Sequence, residues 1–210
     1  MNPVFQTQLK EAARHLSASD PILAKVIASA PLPDFAPHTD YYRALVNSII
    51  GQQLSVKAAA TIKQRFVDLF GGAFPAPEQI LGRDIEELRS VGLSRPKARY
   101  VQDLAQHIVD GTVRFDTIDQ LSNDEIIAEL TAVKGVGEWT VHMFLLFCMG
   151  RLDVLPTGDL GIRSGIKKLY GMDELPSPDE VRLVAEKNGW DPYESVASWY
   201  VWHSLDNAPK

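Results

Sequence analysis

Cysteine is almost missing from this 210-residue chain: Cys148 stands alone. One thiol cannot close an internal disulfide or supply the cysteine set of a zinc or iron–sulfur centre, and it suits a reducing compartment. An excess of positive charge is missing too. Twenty-seven Asp and Glu outweigh 21 Lys and Arg, for a formal net charge of −6. That argues against a protein made chiefly for nonspecific attachment to nucleic acid, while leaving room for a local basic face. Long apolar runs are lacking. The longest, near Val141–Met149, is far too short to cross a bilayer. The N-terminus, MNPVFQTQLKEAARHLSASDP, has no apolar core of a signal peptide. The expectation is a soluble cytoplasmic protein, nucleoid-associated if bacterial. Strand-like alternation is scarce. Only GTVRFDTI, residues 111–118, hints at it, and it reads better as a connector.

What is present is helix after helix with clear punctuation. Ser55 and Ser94 stand where N-caps are wanted, before VKAAATIKQRFVDLF and RPKARYVQDLAQHIVD. Gly71–Gly72 and Gly111 follow as stops. SNDE at 122–125 and SPDE at 177–180 are capping boxes, the second with Pro178 at the first helical position. The Pro-rich stretch APLPDFAPHTD, residues 30–40, reads as an extended crossing after an N-terminal helix. The fold class is all-α, with about ten helices.

Two features carry chemistry. In LTAVKGVGEWTVHMF, residues 130–144, Gly135 and Gly137 interrupt a helical pattern. Glycines allow a very tight turn and let another backbone approach closely. The N–H groups of such a turn and of the next helix point outward together, an arrangement suited to a phosphate. A helix–helix turn without any ligand accounts for the same two glycines. Further on, Asp159 follows LPTG and precedes LGIRSGIKKLYG. An acid there reads as a helix N-cap or as a catalytic carboxylate, and the two roles are compatible. Asp153, six residues earlier, is the alternative acid.

Together, LTAVKGVGEWTVHMF and DVLPTGDLGIR resemble the helix–hairpin–helix DNA glycosylases, most nearly the alkylbase, 3-methyladenine DNA glycosylase II branch. The resemblance extends to LVNSIIGQQLSVKAAATI, VGLSRPKARYVQDLA and DPYESVASWYVWH, in family order from about residue 40 to 205. It implies one glycosylase domain over residues 1–210. Its sublobes would be roughly 1–40 with 150–210, and 41–149, with the active-site cleft between the lobes. It implies Asp159 as the catalytic residue, 22 positions after Gly137, and a hairpin (Lys134, Gly135, Val136, Gly137) that grips DNA phosphate with help from Ser94, Lys97 and Arg163. Arg95, Arg99, Lys167 and Lys168 are further basic candidates. From Arg151 to Lys168 four basic residues face two acidic ones. The carbonyls of Thr131, Val133 and Gly135 would hold a monovalent cation, Na+ or K+. No cofactor is expected for the chemistry, and no iron–sulfur cluster.

Trp139 stands where bifunctional glycosylase/lyases of that superfamily carry a Schiff-base lysine. The resemblance therefore implies a monofunctional enzyme that uses water. Trp139 and Trp202 would wall the base pocket with Met143. All four tryptophans lie after residue 138, with Trp190 and Trp199 the others. Gln53, with Leu54 and Gln52 as alternatives, would fill the gap that a flipped base leaves. Glu194 departs from the arginine many relatives carry. The expected partner is duplex DNA containing alkylated bases, with no membrane, and the expected state is a monomer. The alternatives are a non-catalytic DNA-binding module of the same hairpin type, or a monofunctional glycosylase for another damaged or mismatched base.

Overall fold

The computed structural model describes residues 3–205; the expectations for 1–2 and 206–210 lie outside the described residues. In chain order the helices are α1 (Pro3–Ser19), α2 (Pro21–Ser29), α3 (Tyr41–Gly51) and α4 (Val56–Leu69). Then come α5 (Pro77–Leu81), α6 (Ile85–Ser90), α7 (Arg95–Val109) and α8 (Asn123–Thr131). The last are α9 (Glu138–Met143), α10 (Leu160–Tyr170), α11 (Pro178–Lys187) and α12 (Glu194–His203). A 3-10 turn (Ile118–Gln120) precedes α8, and a π-helical turn (Phe144–Met149) continues α9. No strand occurs among the described residues, and GTVRFDTI is a connector.

The punctuation works as local chemistry requires. Ser55 accepts the Ala58 amide and Ser94 that of Lys97. Ser122 with Glu125, and Ser177 with Glu180, close both capping boxes. Each satisfies donors that a helix start leaves orphaned. Gly71, Gly72, Gly111 and Gly171 all turn at positive φ, where a side chain would be strained.

The chain divides into two compact units. One comprises residues up to Pro37 and from Leu145 on; the other is His38–Phe144. In the first, Leu9, Leu16, Leu23, Trp190 and Tyr200 are buried core. At its centre Asp20 is fully buried. Its Oδ1 accepts the Ile22 and Leu23 amides, and its Oδ2 accepts Trp190 Nε1 and the Tyr170 hydroxyl. A buried carboxylate is tolerated only when satisfied in this way. In the second unit, α3 buries Leu45, Val46, Ile49 and Ile50, and α7 buries Ala98, Val101, Leu104 and Ala105, both at helical spacing.

Candidate functional site

Asp159 is the N-cap of α10, in extended backbone at φ −68°, ψ 126°. Its Oδ1 accepts the Ile162 amide at 2.8 Å and Trp202 Nε1 at 2.8 Å. A carboxylate at a helix start meets the positive end of the helix dipole, and the indole adds a charge-assisted bond. Two donors converging on one oxygen fix the plane of the carboxylate.

Trp202 reaches Asp159 because α10 and α12 approach closely. A Cβ on Gly161 would lie 2.9 Å from Trp202 Nε1; one on Gly165 would lie 2.4 Å from Val201 Cγ1 and 3.0 Å from the Val201 carbonyl oxygen. Glycines four apart strip one face of α10 and admit α12. The sequence shows LGIRSG, but not what those glycines meet. Trp202 is only 5% exposed, and its ring stacks on Phe147 at 6.1 Å. Here the indole is Asp159's hydrogen-bond donor and is largely covered. Trp190 and Trp199 are buried as well, while Asp153 is exposed.

Ser195, which the sequence did not flag, holds the loop before Asp159. From the first turn of α12 its hydroxyl donates to the Arg151 carbonyl at 2.7 Å and accepts the Val154 amide at 3.0 Å. Its own amide donates to the Leu152 carbonyl. It thereby pins the loop leading to Asp159. A serine inside an apolar helix gives no sequence signal for such a role. Its neighbour Glu194 is half-buried with Oε2 lacking a hydrogen-bond partner. Burial first, then the charges of Asp191 and Asp153, push that carboxyl above its ordinary value. Nothing in the structure explains why an acid stands there.

The second unit holds the hairpin. Gly135 turns at φ +81°, and a Cβ there would sit 2.1 Å from Tyr100 Cδ2, so both conformation and packing require glycine. Gly137 is different. It caps α9 at φ −91°, and a Cβ there would meet nothing within 4 Å. Neither strain nor the chain's own packing demands glycine at 137. The two glycine amides make no hydrogen bond among the described residues, whereas the amides between and beside them are engaged. Val136 N donates to the Val133 carbonyl at 3.1 Å and Lys134 N to Asp103 Oδ2 at 2.8 Å.

The side chains expected to contact phosphate have partners within the chain. Lys134 Nζ pairs with Asp103 Oδ1 at 2.7 Å. Burial pushes the Asp103 carboxyl up, but bonds from the Lys134 ammonium and amide, with the charges of Lys134 and His107, outweigh it. The carboxyl is held below its ordinary value. Lys97 Nζ turns inward to the Ile50 and Gln52 carbonyls at 2.9 and 2.6 Å. Arg163 Nε donates to the Pro176 carbonyl at 2.6 Å, and Ser94 serves as a cap. Of the hairpin's backbone amides, those of Gly135 and Gly137 have no hydrogen-bond partner among the described residues.

Between α3 and α4, Gln53 takes a left-handed backbone at φ +56°, the one non-glycine to do so among the described residues. Left-handed non-glycine residues mark positions where surrounding structure imposes strain. Gln52 Nε2 donates to the Gly135 carbonyl at 2.9 Å, while Leu54 is 37% exposed. Trp139 is 53% exposed, unusual for an indole. It lines a cavity of ≈ 470 Å³ with Ser48, Gly51, Gln52, Gln53 and Thr140. Met143, half-buried, follows one helical turn later. No group of three or more His, Cys, Asp and Glu side chains among the described residues is placed to hold a metal ion. No helix there is long and apolar enough to cross a membrane.

Comparison with known proteins identifies the family. Residues 46–189 match the HhH-GPD superfamily of base excision DNA repair proteins. DNA-3-methyladenine glycosylase 1 of Schizosaccharomyces pombe is 33% identical over 201 residues, covering 93% of this chain and 87% of that protein. The crystal structure of a DNA-3-methyladenine glycosidase from Bacillus halodurans superposes with a TM-score of 0.82 at 37% identity, covering 92% of this chain and 88% of that one. The 3-methyladenine DNA glycosylase Mag1 of S. pombe in complex with abasic DNA gives 0.73 at 32% identity, covering 95% and 100%. The covered share varies: the chain spans only 59% of the length of a Bacillus subtilis relative.

Proposed function

Because the chain belongs to the HhH-GPD superfamily of base excision DNA repair proteins, we propose that it is a monofunctional DNA glycosylase. It hydrolyses the N-glycosidic bond of alkylated bases, of the 3-methyladenine and 7-methylguanine class, in duplex DNA. It acts as a monomer in the cytoplasm, where its lone buried thiol stays reduced. The observation that carries this reading is Asp159, a carboxylate oriented by the Ile162 amide and the Trp202 indole. Asp20 is held by the same kinds of donor but is fully buried, whereas Asp159 is only half-buried and can be reached by a substrate.

Breaking an N-glycosidic bond leaves positive charge on the sugar, as in oxocarbenium-like glycoside chemistry. The Asp159 carboxylate stabilises that charge and takes the proton of the attacking water. An alkylated base is already cationic and departs without a second acid. Trp139 offers an exposed indole face, suited to an electron-poor flipped base by stacking and cation–π attraction. With tryptophan at that position, the lyase route has no amine, and water is the nucleophile. Gln53, on its strained turn with Leu54 and Gln52 beside it, fills the vacated stack. The Gly135 and Gly137 amides hold the DNA backbone. Bare Gly137 suits this, since its missing side chain serves nothing within the chain.

The carbonyls of Thr131, Val133 and Gly135 are the donors for a monovalent cation, which would supply positive charge to the same phosphate. The Val133 oxygen takes the Val136 amide and the Gly135 oxygen takes Gln52 Nε2, and each carbonyl has a second lone pair for a cation.

Base release from methylated duplex DNA tests the proposal, with wild-type protein beside Asp159→Asn. Wild type should free 3-methyladenine or 7-methylguanine, and Asp159→Asn should be slower by about 100-fold or more, the scale of losing a key electrostatic group. No release by wild type removes the alkylbase assignment. Full activity in the Asn variant removes Asp159 from the chemistry.

A further inference from the structure

The inward turn of Lys97 belongs to a larger arrangement within the second unit. Lys97, Tyr100 and Asp103 are spaced three apart along α7 and lie on one side of it. Each holds a segment on which the proposed function relies. Lys97 Nζ donates to the Ile50 and Gln52 carbonyls at 2.9 and 2.6 Å. Ile50 lies in the last turn of α3 and Gln52 is its C-cap, where carbonyls lack partners within the helix and meet its negative end. Tyr100 packs its ring against the bare α-carbon of Gly135. Asp103 takes both the amide and the ammonium of Lys134. Gln52 closes the circuit, its amide nitrogen 2.9 Å from the Gly135 carbonyl. Helix, turn and hairpin therefore hold one another in a ring of contacts around the strained Gln53. Burial lowers the pKa of the Lys97 ammonium from its ordinary value, as befits a cation facing inward.

We infer that Lys97 and Asp103 are positioning residues: through them α7 holds the Gln52–Leu54 turn and the Gly135–Gly137 hairpin in one register, so that DNA grip and duplex insertion occur together. Neither residue touches DNA in this account. It rests on the glycosylase reading, and its test is arranged so that the two fail separately.

The test uses Lys97→Met, Lys97→Arg and Asp103→Ala beside wild type. It reads thermal melting, the salt dependence of affinity for undamaged duplex, and single-turnover base release from methylated duplex. A lysine that binds phosphate contributes about 0.9 to the slope of log K against log salt. Lys97→Met should leave that slope unchanged. Its release rate should fall markedly, since misplacing reacting groups by about 1 Å costs on the order of 100-fold. The half-saturating concentration should stay where it is, and Lys97→Arg, which keeps donors at that place, should recover the rate. Asp103→Ala frees Lys134, so it should bind undamaged duplex at least as tightly as wild type while releasing base more slowly.

A slope lowered by about 0.9 in Lys97→Met makes the residue a direct phosphate contact and overturns the inference. So does wild-type release by a folded Lys97→Met, or by Asp103→Ala if Lys97→Met does not fold. If wild-type protein releases no base, the functional reading fails, and the salt slopes of Lys97→Met and Asp103→Ala decide the positioning role.

Discussion

Replacing Trp202 by phenylalanine isolates the bond that aims Asp159. The ring is kept, so stacking on Phe147 at 6.1 Å survives; the indole N–H, 2.8 Å from Asp159 Oδ1, is lost. A hydrogen bond to a charged acceptor is worth about 1.5–3 kcal/mol. The Ile162 amide, also at 2.8 Å, still ties Oδ1 to the start of α10. The carboxylate then loses the donor that reaches it from α12 and can turn away from the sugar. If the whole of the lost energy had served to hold it in place, base release slows by about 10- to 100-fold, at about 1.36 kcal/mol per factor of ten. Single-turnover release from methylated duplex, with protein in excess, reads this step without interference from product release. The expected result is a slower rate at saturation with unchanged half-saturation and a wild-type circular dichroism spectrum. Trp202→Phe protein that releases base at the wild-type rate refutes the role of the indole. A defect confined to half-saturation refutes it too, because Trp202 would then act on the base rather than on Asp159.

Other consequences concern the scaffold. Gly165→Ala drives a Cβ to 2.4 Å from Val201 Cγ1 and 3.0 Å from a backbone oxygen; overpacking of this kind costs about 1–3 kcal/mol, measurable in urea unfolding, and should slow base release by shifting α12 with Trp202. Asp20→Ala leaves the Ile22 and Leu23 amides and the Trp190 indole without their acceptor; at about 1–3 kcal/mol per orphaned group the melting temperature should fall by roughly 6 °C or more, and a wild-type melting curve would remove Asp20 as the centre of its unit. His142 is 8% exposed, and burial lowers its pKa despite the charge of Glu138 nearby. The folded state therefore prefers the neutral ring. The unfolded ring takes a proton as pH drops past its ordinary value of 6.5, so stability contributed by His142 is complete above that pH and declines below it. His142→Gln should flatten this part of the stability–pH curve, and an unchanged curve would refute the assignment.

The parts of this molecule legible in the sequence are those made by neighbours along the chain. Ser55, Ser94, Ser122 and Ser177 each cap a helix by bonding an amide three residues on, and Asp159 does the same at α10. Such bonds need only a side chain and the local backbone, so residue type and spacing announce them. The tight turn at Gly135, at positive φ, belongs to the same local grammar. The contacts that aim the site cross long stretches of chain. Trp202 reaches Asp159 over 43 residues, Ser195 reaches Val154 over 41, and Lys97 reaches Gln52 over 45. Lysine and tryptophan have the same chemistry on a surface as in a contact, so Lys97 was assigned to phosphate and Trp202 to a pocket wall only by family resemblance. Which carbonyl an ammonium faces, and which carboxylate an indole meets, depends on how closely helices approach. Here that distance was decided by two glycines on α10 and by a ring beneath Gly135. The sequence determined the family, the helices and the acid; tertiary packing decided what holds that acid and where the basic side chains turn.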